Sequence, residues 1–302
     1  MRVRAFTWND LATYARLLRE SAVVDGGNVS FSEKDAGEVL RQPNLHPERD
    51  CFIAEVEGEA AGVILVIPES DIGRTVLEGA VPPNFRRRGV GTLLIETAVE
   101  HSRGLGVAVV HASATPEAMG ARRLLAKAGF AEARRQWRMR LELADLVRGE
   151  PVTGYDVRHM HAGEEAVMTE LQNKAFTGSF GFAPNIPEEI AYRTRMGGAR
   201  PEDTLFVHAD GKPVAYCWTR RPAPGATDAA GIVWMIGADP EARGRGFGRA
   251  MLLESVDYLA SEGAEAVELT VYQDNTPAVA LYRATRFHET GEIIWYARRL
   301  SP

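Results

Sequence analysis

A glycine-rich corner recurs in this chain at one fixed distance. Arg86-Arg87-Arg88-Gly89-Val90-Gly91 and Arg243-Gly244-Arg245-Gly246-Phe247-Gly248 both fit Arg-x-x-Gly-x-Gly, and Arg243 stands 157 positions after Arg86. The same offset carries Pro83 onto Pro240, Val99 onto Val256, Gly106 onto Gly263, Leu124 onto Leu281 and Phe130 onto Phe287. A chance motif does not hold register over about fifty residues, so the chain is a duplication. Its 302 residues suit two domains. The expected halves are 1–147 and 152–302, each long enough to bury a core. The linker is expected near Leu146 to Val152, where Arg148-Gly149-Glu150-Pro151 breaks any regular pattern.

Each half reads as the same series of elements. A short strand (Val3 to Phe6; Tyr155 to Arg158) leads into a helical segment, with Leu11, Tyr14, Ala15 and Leu18 at spacings of three and four. Two strands follow around a turn: Cys51 to Glu55 and Ala61 to Ile67 about Glu57-Gly58, then Thr204 to Ala209 and Pro213 to Thr219 about Asp210-Gly211. The next strand (Thr75 to Val81; Ile232 to Ala238) runs into the glycine motif, which opens a helix of about fifteen residues. Another strand (Val107 to Ser113; Ala266 to Tyr272) precedes a short helix opened by Thr115-Pro116 or Thr276-Pro277. A last strand is expected to close each half (Trp137 to Leu143; Ile293 to Leu300). Two α/β units in tandem fit this order.

A strand that turns directly into a helix leaves the first amides of that helix unpaired, and the helix dipole adds positive potential there. Glycines at 89, 91, 246 and 248 let an anion approach the backbone, which makes each corner a candidate diphosphate seat. Arg86, Arg87, Arg88, Arg243, Arg245 and Arg249 are positioned to add charge-assisted bonds. One copy alone would also read as a glycine-rich turn among solvated arginines. Other phosphate motifs fit less well. No Lys-Ser/Thr ends the loop as a P-loop requires. Arg249 stands where a dinucleotide fingerprint needs its third glycine, and Glu268 lies at the wrong end of its strand for ribose.

Composition narrows the remaining options. Hydrophobic content of 45% and charged content of 25% are those of an ordinary globular chain. A net charge of −6 argues against general nucleic-acid binding. Cys51 and Cys217 read as buried small hydrophobes, and neither a disulfide framework nor a metal is expected. His159 and His161 lack a partner at ligand spacing, and the chain has no Gly-x-Ser-x-Gly or His-Glu-x-x-His. The N-terminus lacks a signal-peptide core, and the run Val63 to Ile67 is too short to span a bilayer. The expectation is a cytoplasmic protein without membrane or nucleic-acid partners, either a monomer or a homodimer.

These corners, followed in the second half by Asn275-x-x-Ala278-x-x-x-Tyr282 and Phe287, resemble the GNAT superfamily of acyl-CoA-dependent N-acyltransferases. The resemblance covers both halves. The tandem layout, with Asn173 to Phe176 and Tyr216 to Thr219, looks most like the mycothiol synthase group. It implies, for each half, a mixed, mostly antiparallel twisted sheet flanked by helices, and acetyl-CoA lying between two splayed strands. The cosubstrate contacts it implies are Ala238, Arg243, Gly244, Arg245, Gly246, Phe247, Gly248 and Arg249, with Arg86, Arg88, Gly89 and Gly91 in the first copy.

The same offset shows that the halves differ. Tyr282 aligns with Leu125 and Asn275 with Ala118. Expulsion of a thiolate is helped by a proton donor, which a tyrosine supplies at neutral pH and a leucine cannot. Catalysis is therefore expected in the second half, with Tyr282 as general acid and Asn275 contacting ligand or ordering the site. Many GNAT enzymes carry a glutamate early in the strand before the glycine motif; here Ile232 and Thr75 occupy that place. Asp228, His208, Glu268, Tyr272 or a water chain are the possible substitutes. Deprotonating a lysine-like amine at pH 7 costs roughly 4.6 kcal/mol, against about 1.4 kcal/mol for an α-amine. A small-molecule α-amino-type acceptor is thus expected. Its pocket is expected between Asn173 and Gly198 and near the Trp218 strand, with Phe176, Phe182 and Trp218 touching it. The alternative is a non-catalytic acyl-CoA-binding or sensing module.

Overall fold

Period-two runs of Val, Ile and Leu form the strands, and apolar residues at three- and four-residue spacing form the helices. In the computed structural model these are β1 (Arg2–Ala5), α1 (Leu11–Asp25), α2 (Glu33–Leu40), α3 (Pro47–Asp50), β2 (Cys51–Val56), β3 (Glu59–Glu69), β4 (Arg74–Ala80), α4 (Val90–Gly104), β5 (Val109–Ala114), α5 (Met119–Lys127) and β6 (Ala131–Glu142). The series then repeats as β7 (Asp156–His159), α6 (Glu165–Phe176), α7 (Pro187–Arg193), β8 (Thr204–Ala209), β9 (Lys212–Arg220), β10 (Ala230–Ala238), α8 (Phe247–Ser261), β11 (Ala266–Tyr272), α9 (Thr276–Ala284) and β12 (His288–Arg299). The structure describes residues 1–25, 30–150, 152–223, 225 and 228–300. Pro151, read from sequence as part of the linker, lies outside them, as does the end of the second half at 302.

Two compact units result, Met1–Arg135 with Ile293–Pro302, and Gln136–Glu292. In the first, antiparallel β1, β2, β3 and β4 continue into β5, which runs parallel to β4 and antiparallel to Ile294–Arg299 of β12. In the second, antiparallel β7, β8, β9 and β10 continue into β11, parallel to β10 and antiparallel to the 136–142 part of β6. Each sheet is therefore mixed and mostly antiparallel. Both closing strands form, but each was expected to pair within its own half. Instead, β6 pairs in the second unit and β12 in the first. Periodicity identifies a strand and not its partner, and duplicated halves offer two equivalent slots.

Each sheet buries both faces. In the second unit, Cys217, Val233, Leu269, Phe247, Met251 and Tyr282 pack on the α8–α9 face. Phe206, Tyr216 and Trp218 pack on the other, under Met168, Leu171 and Ile190 of α6 and α7. Residues two apart share a face, so successive β9 residues serve different cores. The first unit repeats this, with Leu77, Leu94 and Val110 in one cluster and Tyr14, Leu17 and Leu65 in another.

Two local features depart from the sequence reading. α5 begins at Met119 and not at Thr115-Pro116. Ala118 precedes it without a side-chain cap, and the Pro116 carbonyl accepts Arg122 Nη1 at 3.0 Å. The helix α2 was not anticipated, although Ser32 and Asp35 form a capping box at its start.

An ion pair fastens the first strand of each unit to the entry of its first helix. Arg4 donates to both Asp10 oxygens at 2.7 Å, and Arg158 to both Glu164 oxygens at 2.7 Å. The backbone amides of Thr7 and His161 add further bonds to these carboxylates. The arginine bonds come first in lowering both carboxyl pKa values to about 2. A pKa below its unfolded value gives stability that is present above the ordinary carboxyl range and lost as pH falls through the native value. The urea midpoint should therefore fall as pH drops from about 4.5 to about 2. In Asp10→Asn, Glu164→Gln double-variant protein this slope should be shallower; an equal slope would contradict the assignment.

Candidate active site

The second glycine corner joins β10 to α8. Asp239 caps a short 3₁₀ turn, Pro240–Ala242, by accepting the Glu241 amide at 3.0 Å. Gly244 and Gly246 then take left-handed φ values of 79° and 87°, a region that costs a side chain about 1–2 kcal/mol. Among the described residues, the amides of 244 to 248 donate to no backbone or side-chain acceptor; those of Arg249 and Ala250 turn back to the Gly246 carbonyl at 3.0 Å. Five successive N–H groups at a helix start are an anion cradle. A Cβ on Gly248 would meet nothing within 4 Å, so the cradle is open there, while Val152 Cγ2 comes within 3.2 Å of where a Gly246 Cβ would stand.

The first corner has the same shape with less room. Gly89 has φ 86°, but Arg87 holds φ 64° where the second copy has Gly244. Leu124 Cδ2 would lie 2.9 Å from a Cβ on Gly91, and Met1 Cε 3.5 Å from one on Gly89.

The arginines divide between tasks. Arg86 donates to the Val81 carbonyl at 2.8 Å, Ser21 Oγ at 3.1 Å and Asp25 at 2.6 Å. Arg243 donates to the Ala175 carbonyl at 2.7 Å, which ties the corner to the end of α6. Arg249 donates to the Arg148 carbonyl. Arg245 lies over the Phe247 ring at 4.7 Å and 3.8 Å from Asp210; Arg88 lies over Phe85 at 5.9 Å. Both of the last two are exposed.

Beside the second corner the sheet opens. β10 pairs with β11 only from Ala230↔Ala266 to Val233↔Leu269. Beyond that, β10 follows β9 as far as Ala238↔Ala215, and β11 follows β6 as far as Tyr272↔Gln136. A register shift between Val233 and Met235 bulges β10 at Trp234, whereas β4 runs beside β3 without one. β4 and β5 likewise part after Leu77↔Ala112.

α9 carries the residues that distinguish the copies. Asn275 caps it by accepting the Ala278 amide at 3.4 Å, so its side chain orders the helix start. Tyr282 is 4% exposed, packs against Phe287 at 5.7 Å, and shares a cluster with Phe247, Leu269 and Val271. Its hydroxyl makes no hydrogen bond among the described residues. Burial raises its pKa, with Cys217 a lesser cause, so the phenol keeps its proton well past neutrality. Leu125 fills the matching position of α5.

The opposite face of this unit holds the predicted acceptor residues. Phe176 stacks on Phe182 at 5.4 Å, and Phe180 meets Tyr272 edge-on at 5.6 Å. Trp218 is 1% exposed and stacks behind Trp234, which is 42% exposed. The solvent-facing ring of the pair is thus one that the sequence reading did not single out. A tryptophan in an apolar strand gave no warning of the bulge that turns it outward. Ile232 is 43% exposed.

Of the possible substitute bases, Asp228 and Glu268 both bind Arg140 at 2.9 Å, and that contact lowers the Asp228 pKa. His208 lies two strands from β10, with a buried, unpartnered Nδ1 and a pKa lowered first by burial. Tyr272 stands at the carboxyl end of β11, against Phe180 of the acceptor segment.

The Acetyltransferase (GNAT) family model matches residues 14–130 and 166–287, and the chain belongs to that family. It is an N-acetyltransferase of the tandem type. Mycothiol acetyltransferase of Pseudarthrobacter chlorophenolicus is 33% identical over 292 residues, covering 90% of this chain and 87% of its own. That of Paenarthrobacter aurescens is 30% identical over 298 residues, covering 92% and 89%. A GCN5-related N-acetyltransferase from Sphaerobacter thermophilus superposes with TM-score 0.74 at 25% identity, over 100% of this chain and 96% of its own. A tandem GNAT protein from the clavulanic acid biosynthesis pathway has the same fold, with TM-score 0.74 at 18% identity over 100% and 99%. Among the described residues, no helix is long and apolar enough to cross a membrane.

The open space at Gly248 generates a test. If a diphosphate rests on this corner, Gly248→Ala should not lower the melting temperature, since the space is open and the position helical, but should weaken coenzyme A binding about tenfold in calorimetry. Unchanged affinity would place the diphosphate elsewhere.

Proposed function

We propose that this chain is an acetyl-CoA-dependent enzyme that acetylates the amine of a small molecule, with the chemistry in its second unit. The acetyl donor's diphosphate would rest on the amides of 244 to 248, and its pantetheine arm would lie between β10 and β11. The site fits such a ligand: the amides are unpaired, the Gly248 side is open, and the strands beyond Val233 leave backbone groups that no longer pair across the gap. The amine nitrogen attacks the thioester carbonyl, the carbon–sulfur bond breaks, the thiolate takes the Tyr282 proton, the amide nitrogen loses its extra proton to water, and water returns a proton to the Tyr282 oxygen. Asn275 keeps α9 in place.

The observation that carries this reading is Tyr282, a buried side chain whose hydroxyl keeps its proton at neutral pH and makes no hydrogen bond among the described residues. A phenol that makes no structural bond is available to donate one. The corner containing Arg86, Arg88, Gly89 and Gly91 would hold at most a ligand that does not react, since Leu125 has no proton to give.

No carboxylate stands at Ile232, so the acceptor must reach the site with its lone pair free. That favours an amine of low pKa, such as an α-amine, over a lysine-like one. A mycothiol-type acceptor belongs in the panel, because relatives carry that name.

Tyr282→Phe removes only the hydroxyl. The melting temperature should hold, while kcat for coenzyme A release falls about a hundredfold or more. Full activity would make Tyr282 a packing residue. Ile232→Glu should open turnover of alkylamines and add an acid limb to the kcat/KM profile. A profile without that limb would remove residue 232 from the amine's path. Coenzyme A binding without thiol release from any amine would favour a sensing module.

A further inference from the structure

The missing carboxylate leaves the acceptor side of β10 with a distinctive surface. Ile232 and Trp234 are 43% and 42% exposed. Ile232 pairs with Arg220, and Trp218 pairs with Met235, so Arg220 and Trp218 flank the same stretch from β9. Trp234 stacks on Trp218 with ring centroids 5.1 Å apart and planes 26° apart. The Arg220 guanidinium lies 4.3 Å from the Trp234 centroid and 5.6 Å from that of Trp218. Arg220 also donates to the Met196 carbonyl at 2.5 Å and the Arg193 carbonyl at 3.0 Å, which anchors the residues after α7 to this edge. Beneath it, Tyr216 and Trp218 are almost fully buried.

A large exposed aromatic held on both a ring stack and a cation is a rigid surface, costing little ordering entropy when a ligand lands on it. Its exposed neighbour along β10 is aliphatic. A polyhydroxylated acceptor would need several hydrogen-bonding side chains here. Ile232 and Trp234 offer one indole N–H between them, and the nearest cation is engaged by two carbonyls.

We propose that Trp234 and Ile232 form a specificity shelf that selects an acceptor carrying a flat apolar group next to its amine. This rests on the acetyltransferase reading above and narrows its substrate class to α-amines with an aromatic or similarly planar neighbour. The shelf supplies contact to the planar group, and Ile232 places no carboxylate beside the nitrogen.

The test compares L-phenylalaninamide, glycinamide and D-glucosamine as acceptors at fixed saturating acetyl-CoA. The wild-type protein should favour phenylalaninamide in kcat/KM by about tenfold or more, the usual scale for a filled apolar contact. In Trp234→Ala that preference should fall to within about threefold, through acceptor KM, with the acetyl-CoA KM unchanged. Trp234→Phe should retain most of it. Ile232→Asn is a second variant should Trp234→Ala fold poorly, and should lower the same preference. Calorimetric binding of phenylalaninamide and glycinamide to coenzyme A-loaded protein reads the shelf without turnover, so a failure of catalysis is separable from a failure of selection. Equal affinities in that titration, a preference for glucosamine, or a preference untouched by both variants would overturn the proposal.

Discussion

The site depends on where β10 stops pairing with β11. Four residue pairs hold the strands together, and after Val233 and Leu269 each follows its other neighbour. Backbone donors and acceptors on the inner edges are then left to find partners outside the sheet. Just past the parting come the five unpaired amides at the start of α8. A sheet that stayed paired to Ala238 would have no slot beside that cradle. The outer edges remain firmly held, β10 by β9 and β11 by β6, so the opening is a fixed feature and not frayed structure.

The duplication shows which parts of this arrangement are general and which are specialised. Both units part their parallel strands and place a left-handed glycine before the next helix. They differ in four neighbouring details. The second copy has Gly244 in place of a left-handed arginine, open space at its last motif glycine, a side-chain cap on its following helix, and a buried phenol in place of Leu125. β10 bulges against β9 where β4 runs regularly beside β3, and Trp234 at that bulge is exposed. The first unit has the frame and lacks these features.

Much of this was legible in the sequence. Thr204–Ala209 and Ala266–Tyr272 are strands with the bounds read from their periodicity, and both helices after the glycine corners run fifteen residues. These features are local, and local pattern fixes them. The exchange of β6 and β12 was not legible, because hydrophobic alternation does not say which edge a strand joins. Nor was the diversion of Arg86 to Asp25 and of Arg243 to the Ala175 carbonyl, since both acceptors come from sequence-distant helices. Trp234 was missed for a related reason: one extra residue in a strand changes which way a ring points, and nothing in the letters Ile-Val-Trp-Met marks the extra residue.

In the proposed reaction Ile232 would link the chemistry to selectivity: with no carboxylate there, a basic amine would lack a means of deprotonation, and the exposed edge of β10 would be apolar. The central claim still rests on geometry at the phenol. A crystal structure with coenzyme A bound is the most direct measurement. The account predicts one molecule on the 244–248 amides with its sulfur about 3 to 3.5 Å from the Tyr282 oxygen. A sulfur well outside hydrogen-bond reach of that oxygen, or coenzyme A held only in the first unit, would contradict it.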